Sequence, residues 1–492
     1  MGKLSSKIGV AAALMVVGVA LVGLAFIQGG SDDDGGGGGD KAAAQQAPRR
    51  VGEALGAGPC GAEPCPASSD VSLARGYEAP SVVVDQKDPN HMVVADNNLV
   101  GGHCGWHVSF DAGRTWQDGV FQPPTGYADC SLDSAGFLAA GNVAMGPSGT
   151  VYFTYVSAGA GATNESVLLA TSTDGGKTFG PTTVAVQGGD TAPAYRRPSL
   201  AVAAGPGGQD RLLLSFWGCP KQPGSNRELC NQAVFANSTD GGKSFTNPVV
   251  SSPPPGGNSP GQAVIGPDGT ISLLYLRRVP PNDTQLVLAR SNDGGRSFTT
   301  SEVGAYPELG GRYDSAKLVV GPKGELYTVF SHKPSSTFQV AFRRSLDNGA
   351  TWEKEVRLNK NESGSYFSPN ISVAPNGRID VVFYGRSQKD TVPVGGVVPD
   401  LGLSDTVLWT SSTNGGSTFG VDRRVNYIDR GIDRRIGYWE EVGDWYTPSV
   451  ASADGTAVLA WSDTRRGTKT TDDNQDTYLR RVDFGAAGER PE

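Results

Sequence analysis

SFDAGRTW at 109–116, STDGGKTF at 172–179, STDGGKSF at 238–245, SNDGGRSF at 291–298, SLDNGATW at 345–352 and STNGGSTF at 412–419 are six copies of one pattern. It reads SxDxGx, then Ser or Thr, then Phe or Trp, with Asn for Asp in the sixth copy. The copies follow one another at 63, 66, 53, 54 and 67 residues, which is the signature of a repeat architecture. Each reads as a hairpin turn. Asp111, Asp174, Asp240, Asp293, Asp347 and, in the sixth copy, Asn414 can accept backbone N–H groups, the glycine takes positive φ, and the aromatic residue packs beneath.

A second element recurs seven times: an apolar strand, a Gly, Pro, Asp or Asn turn, and another strand. Examples are APSVVVDQKDPNHMVVAD at 79–96, PGQAVIGPDGTISLLYL at 260–276 and TPSVASADGTAVLAWSD at 447–463. Strand, turn, strand, link, strand, SxDxG turn, strand is one four-stranded antiparallel blade. The sequence thus predicts an all-β chain, a seven-bladed β-propeller, with six blades as the alternative. The seventh unit ends without its SxDxG turn. Its missing outer strand is expected from Val71 to Arg75, which would close the ring and protect its edges.

Composition agrees. Glycine supplies 69 of 492 residues without a strict period, so collagen is excluded. A net charge of -8 disfavours nucleic acid as a partner, because phosphate binding needs a clustered cationic surface. At the N-terminus Lys3 and Lys7 precede an uncharged run, Ile8 to Ile27, long enough to cross a bilayer as a helix. Residues 1–30 are expected to be a signal anchor, with a cleaved signal peptide as the alternative. The following charges place the rest of the chain outside the cell membrane. Residues 31–66 read as a low-complexity tether and 67–492 as the propeller, expected to be a monomer. Six cysteines in an exported chain suggest the sequence-near pairs Cys60 with Cys65, Cys104 with Cys130 and Cys219 with Cys230, among 15 possible pairings. Zinc is disfavoured by the compartment and by only four histidines.

The turns and strand pattern resemble the Asp-box (BNR) repeats of the sialidase superfamily over roughly residues 70–484. That resemblance implies a propeller whose relatives include sialidases, other glycosidases and proteins with no known catalysis. Strand direction alternates within a blade, so the boxes fall on one face. The starts of first strands and the ends of second strands meet on the other, around the channel mouth.

The residues aligned there include Arg196 with Arg197, Arg312 with Tyr313 and Asp314, Arg386, and the stretch GYWEEVGDWYTPSV at 437–450. Glu78, Asn142, Asn258, Tyr366, Phe367, Trp217, Arg277, Arg278, His332, Tyr384 and Asp463 complete the ring. YRRPSL at 195–200 resembles the sialidase motif whose arginine joins a carboxylate-binding triad, and Arg196 matches that arginine. The resemblance implies Arg196, Arg312 and Arg386 as guanidinium forks. It implies Tyr446 as a neutral nucleophile, with Glu441 and Asp444 as its proton partner and the acid. Arg197, Tyr313, Asp314, Trp439 and Trp445 would line the sugar. The alternative is an aromatic-lined groove that binds glycans or protein without cleaving a bond.

The expected partners are extracellular glycans, with the membrane met only through the N-terminal helix. No nucleotide, Walker or metalloprotease motif is present, and no cofactor is expected. TDDNQD at 471–476 offers oxygen ligands for a structural Ca²⁺, with an exposed solvated loop as the simpler reading.

Overall fold

A computed structural model of the chain describes residues 49–50, 71–75, 77–98, 102–130, 140–159, 165–188, 193–221, 229–246, 248–250, 258–279, 283–307, 309, 316–360, 364–387, 404–425, 432–433, 447–463 and 476–484. Their strands form seven sheets, each with four strands in antiparallel order from the innermost outward. Blade 1 begins at Tyr77–Val84, blade 2 at Ala140–Met145, blade 3 at Ala194–Ala204 and blade 4 at Asn258–Ile265. Blades 5, 6 and 7 begin at Lys317–Val320, Gly364–Val373 and Ser449–Ala453.

Second strands such as Val151–Ala158 (VYFTYVSA) and Leu326–His332 (LYTVFSH) are almost wholly buried. Both faces of a blade pack on neighbours, so these strands read as continuous apolar runs rather than an alternation.

The ring closes as the sequence predicted. Blade 7 takes Ser449–Ala453, Thr456–Asp463 and Asp476–Asp483 from the C-terminal part, and Val71–Arg75 as its outer strand. Val71 stands opposite Leu479 and Arg75 opposite Asp476. The chain then runs directly into the innermost strand of blade 1. One feature departs from the expected tether: Arg49 and Arg50 pair with Trp116 and Thr115 as a fifth strand on blade 1. An outermost strand leaves a row of unpaired backbone groups, and even two residues of extended chain can satisfy part of it. The expected N-terminal helix lies outside the described residues, and among the described residues no helix is long and apolar enough to cross a membrane.

All six boxes share one hydrogen-bond pattern. In the second, the Ser172 hydroxyl donates to Asp174 Oδ1 (2.7 Å) and accepts from Gly176 N (2.8 Å). The same carboxylate accepts from Thr178 N (2.9 Å) and Thr178 Oγ1 (2.6 Å). Asn414 keeps the geometry with one polarity reversed, its Nδ2 donating to Thr418 Oγ1 at 2.7 Å. Hydrogen bonds led by the Ser244 hydroxyl hold the Asp240 carboxyl down at about 2.

The boxes also join blades, a role their sequence did not announce. In blades 2 to 5 the third-strand residue three positions before the box serine receives the next blade's box glycine, while Gly176 of blade 2 lies on Val93 and Val108 of blade 1. Thus Gly295 of blade 4 lies on Phe235 of blade 3, and Gly416 of blade 6 on Phe342 of blade 5. A Cβ on Gly295, where φ is +90°, would come within 2.4 Å of the Phe235 ring. Gly295→Ala is therefore expected to destabilise the fold by about 2–4 kcal/mol, combining backbone strain with overpacking. Urea unfolding measures this, and an unchanged midpoint would refute the wedge role.

Innermost strands are joined by small polar side chains. Val82 N donates to Ser449 Oγ (3.1 Å), Val143 N to Ser81 Oγ (3.1 Å) and Ser452 N to Ser372 Oγ (3.0 Å). Asn142 brackets Leu200 with both amide atoms, accepting from its N–H at 2.6 Å and donating to its C=O at 2.8 Å. These bonds satisfy groups that an edge strand leaves unpaired. Two expected disulfides are present, Cys104–Cys130 and Cys219–Cys230. Cys60 and Cys65 lie outside the described residues.

Candidate functional site at the top of the channel

Register confirms which backbone positions meet opposite the boxes. Arg196 pairs with Trp217, Asn258 with Arg277, Phe367 with Tyr384 and Glu78 with Asn97. In blades 1, 3 and 6 the innermost strand bulges just below this level, at Ala79-Pro80, Arg197-Pro198 and Ser368-Pro369. The residue before each proline takes a positive φ, of 52°, 51° and 50°. The bulge inserts an extra residue and re-aims the side chains at the strand's top end.

That bulge separates the two arginines of YRRPSL. Arg196 turns inward and is buried, with its Nε 3.8 Å from Oε2 of Glu165, a residue of blade 2 that is 1% exposed. Its Nη1 lies 3.7 Å from Cys230 Sγ, so the Cys219–Cys230 disulfide backs the guanidinium. Arg197, in its left-handed conformation, stays partly exposed and lies over the Trp217 ring at 4.7 Å. A guanidinium stacked on an indole gains a cation–π contact.

Glu165 was missed by sequence reasoning. Its signal was an acid at the head of an otherwise apolar strand, ESVLLATS, but its partner is brought from another blade.

Other members of the expected ring have different roles. Asn142 bridges two blades, as described above. Phe367, Tyr384 and Asp463 are buried, and Asp463 Oδ2 accepts from Trp461 Nε1 at 3.0 Å. Arg277 Nη2 donates to Tyr275 OH at 2.8 Å. His332 Nε2 is paired with Glu355 Oε1 at 3.0 Å and its ring meets Tyr306 edge-on.

Arg312, Tyr313, Asp314, Trp439, Glu441, Asp444, Trp445 and Tyr446 lie outside the described residues. Arg386 is described only by its backbone, opposite Ser365; its side chain lies outside. Of TDDNQD, Asp476 heads a strand and is buried, rather than standing in a solvated loop. Among the described residues no group of three or more His, Cys, Asp or Glu side chains is arranged to hold a metal ion.

Seven four-stranded blades, six boxes of one hydrogen-bond pattern and a ring closed by an N-terminal strand make the chain a seven-bladed β-propeller. The family model of the BNR repeat-like domain matches residues 138–381. Among solved structures, an ulvan lyase described as a new family of polysaccharide lyase is similar at 12% identity and a TM-score of 0.51. That match covers 84% of this chain and 96% of the lyase. A protein of unknown function from Dyadobacter fermentans is 15% identical with a TM-score of 0.46, over 89% of this chain and 99% of its own. A Hadza microbial sialidase is 13% identical with a TM-score of 0.44, over 71% and 66%. At such identities the likeness is one of fold. No curated protein shows significant sequence similarity to the chain.

Proposed function

We propose that the top face is a glycan site and that the protein is a sialidase-like glycoside hydrolase acting on terminal sugars. The observation that carries this reading is Arg196: a guanidinium buried at the channel mouth, oriented by Glu165 and seated in the YRRPSL motif. Burying a guanidinium is costly unless it is paired, and the planar fork of an arginine matches the geometry of a carboxylate. In this reading Arg312 and Arg386 complete the fork and Tyr446 attacks the anomeric carbon. Glu441 takes its proton and Asp444 protonates the leaving oxygen. A neutral phenol avoids the repulsion that an anionic nucleophile would meet from a substrate carboxylate. Arg197, Tyr313, Asp314, Trp439 and Trp445 hold the rings. The two disulfides support an exported protein, with the propeller outside the cell on its N-terminal anchor.

The test is a panel of fluorogenic glycosides, sialosides included, assayed with wild type and Arg196→Ala. The expected loss in kcat/KM is about 100-fold or more, as for removal of a charge-assisted contact to the transition state. Equal turnover by the two proteins would remove Arg196 from the site. A second reading, a binding propeller without catalysis, is favoured by the Arg197–Trp217 stack, which is a ready platform for a sugar face. Measurable binding on a glycan array with no turnover of any glycoside would select it.

A further inference from the structure

From blade 1 to blade 6 every seam is wedged by a box glycine of the later blade: Gly176, Gly242, Gly295, Gly349 and Gly416 each press on the blade before them. The seam between blades 6 and 7 cannot be made this way. Blade 7 carries no SxDxG turn, and the blade 6 position that would receive its glycine, three residues before Ser412, is Trp409.

Phe484 stands there instead. It follows the strand Asp476–Asp483, its N–H donates to the Gly455 carbonyl at 2.8 Å, and its ring lies 5.9 Å from the Trp409 ring. It packs on the apolar cluster that blades 6 and 7 share. Over its ring, 3.9 Å from the centroid, lies the guanidinium of Arg378, a buried residue of blade 6. Arg378 Nε donates to Asp380 Oδ2 at 2.9 Å, and Nη2 crosses the seam to the carbonyls of Ala453, at 3.0 Å, and Thr456. Asp380 is fully buried and accepts also from Ser452 Oγ of blade 7 at 2.7 Å and from Trp409 Nε1 at 3.3 Å. A buried ion pair holds only while its remaining donors and acceptors are met, and here both blades meet them.

We infer that Arg378 and Phe484 form a clasp in place of the missing seventh box, and that the seam between blades 6 and 7 opens separately from the others when Phe484 leaves its seat. A box glycine is held by hydrogen bonds within its own turn, so a wedge of that kind cannot withdraw without unfolding the turn. Phe484 lies just past its strand, is partly exposed and is tied by one backbone hydrogen bond. It can leave with every sheet still paired. Its departure uncovers the flat face of Arg378 and admits water to the Arg378–Asp380 pair, which loosens the bonds to Ser452, Ala453 and Thr456 together. The clasp thus gives the ring one seam that yields locally, below the cost of global unfolding.

Native-state hydrogen exchange, read at single amides by mass spectrometry, tests this on the full chain, on chains ended at Phe484 and at Asp483, and on full-length Phe484→Ala. The Ser452 amide, bonded across the seam to Ser372 Oγ, reports on the clasp. The Val143 and Leu200 amides, bonded across other seams to Ser81 Oγ and Asn142 Oδ1, are the controls. Without the Phe484 ring, Ser452 is expected to exchange at least about tenfold faster, as loss of a desolvated cation–π contact implies, with the controls unchanged. The chain ended at Phe484 should match the full chain. Arg378→Lys, which keeps the charge but loses the flat stack, should speed Ser452 and add little to Phe484→Ala. Unchanged exchange at Ser452 without the ring, or equal acceleration at all three amides, would overturn the clasp. So would a chain ended at Phe484 that exchanges as fast as one ended at Asp483.

Discussion

A chain that begins at residue 76 is expected to melt more than about 10 °C below one that begins at residue 67, or to aggregate before it melts. The difference between the two is the closing strand, Val71–Arg75, whose partners Tyr478 and Leu479 are buried in the intact ring. Four register pairs are lost, worth on the order of 4 kcal/mol in hydrogen bonds. Tyr478 and Leu479 would be uncovered as well, and the edge of Asp476–Asp483 would become a template for another chain. Blades 7 and 1 are still joined by a buried apolar cluster that includes Val82, Met92, Ala451 and Val458, and by single hydrogen bonds such as Val82 N to Ser449 Oγ, but neither covers the outer edge of blade 7. Circular dichroism melting with size exclusion decides the matter. Coincident melts of two monomeric chains would show that closure contributes little.

The second large effect is expected at His107, which links three strands of blade 1. Its Nδ1 lies 2.7 Å from Asp118 Oδ1 and its Nε2 3.2 Å from Asp96 Oδ2, and Asp96 is fully buried. Burial alone would push the imidazole pKa down. The Asp96 charge and the hydrogen bond to Asp118 reverse this and raise it to about 9. A folded pKa above the ordinary value of 6.5 means stabilisation that is fully present below that pH and lost as the pH rises through about 9. The amount is roughly 3 kcal/mol.

Wild type should therefore lose urea resistance between about pH 6 and about pH 9.5, while His107→Gln, already weaker by about 3–5 kcal/mol at the lower pH, should change far less. A mutant as stable as wild type at the lower pH would show that the buried carboxylates need no imidazolium.

Much of the fold could be read without coordinates because its determinants are local. A box needs only a serine, an acid two residues on and a glycine two beyond that. Asp174 makes all its bonds within Ser172–Thr178, so the motif carries its own explanation. Closure by Val71–Arg75 could also be read, because the last unit was visibly one strand short and an exposed edge has to be covered. The candidate site was harder. Arg196 was singled out by its motif, but Glu165, 31 residues earlier in the chain, carries no motif of its own and becomes its neighbour only when blade 2 meets blade 3. The proline bulge that buries Arg196 and leaves Arg197 partly exposed is a backbone feature, and adjacent identical residues give no hint of it.

The amino-acid order by itself determined the class of fold, the strand that closes the ring and the side on which the boxes lie, since these follow from hairpins, periods and alternation along the chain, while the choice of seven blades over six came from the sheets themselves. Only the tertiary structure decided that box glycines such as Gly295 wedge against the preceding blade and that Asn142 bridges two blades. Those contacts join residues of different blades, and their partners are fixed by how neighbouring sheets pack around an axis that the sequence does not encode locally.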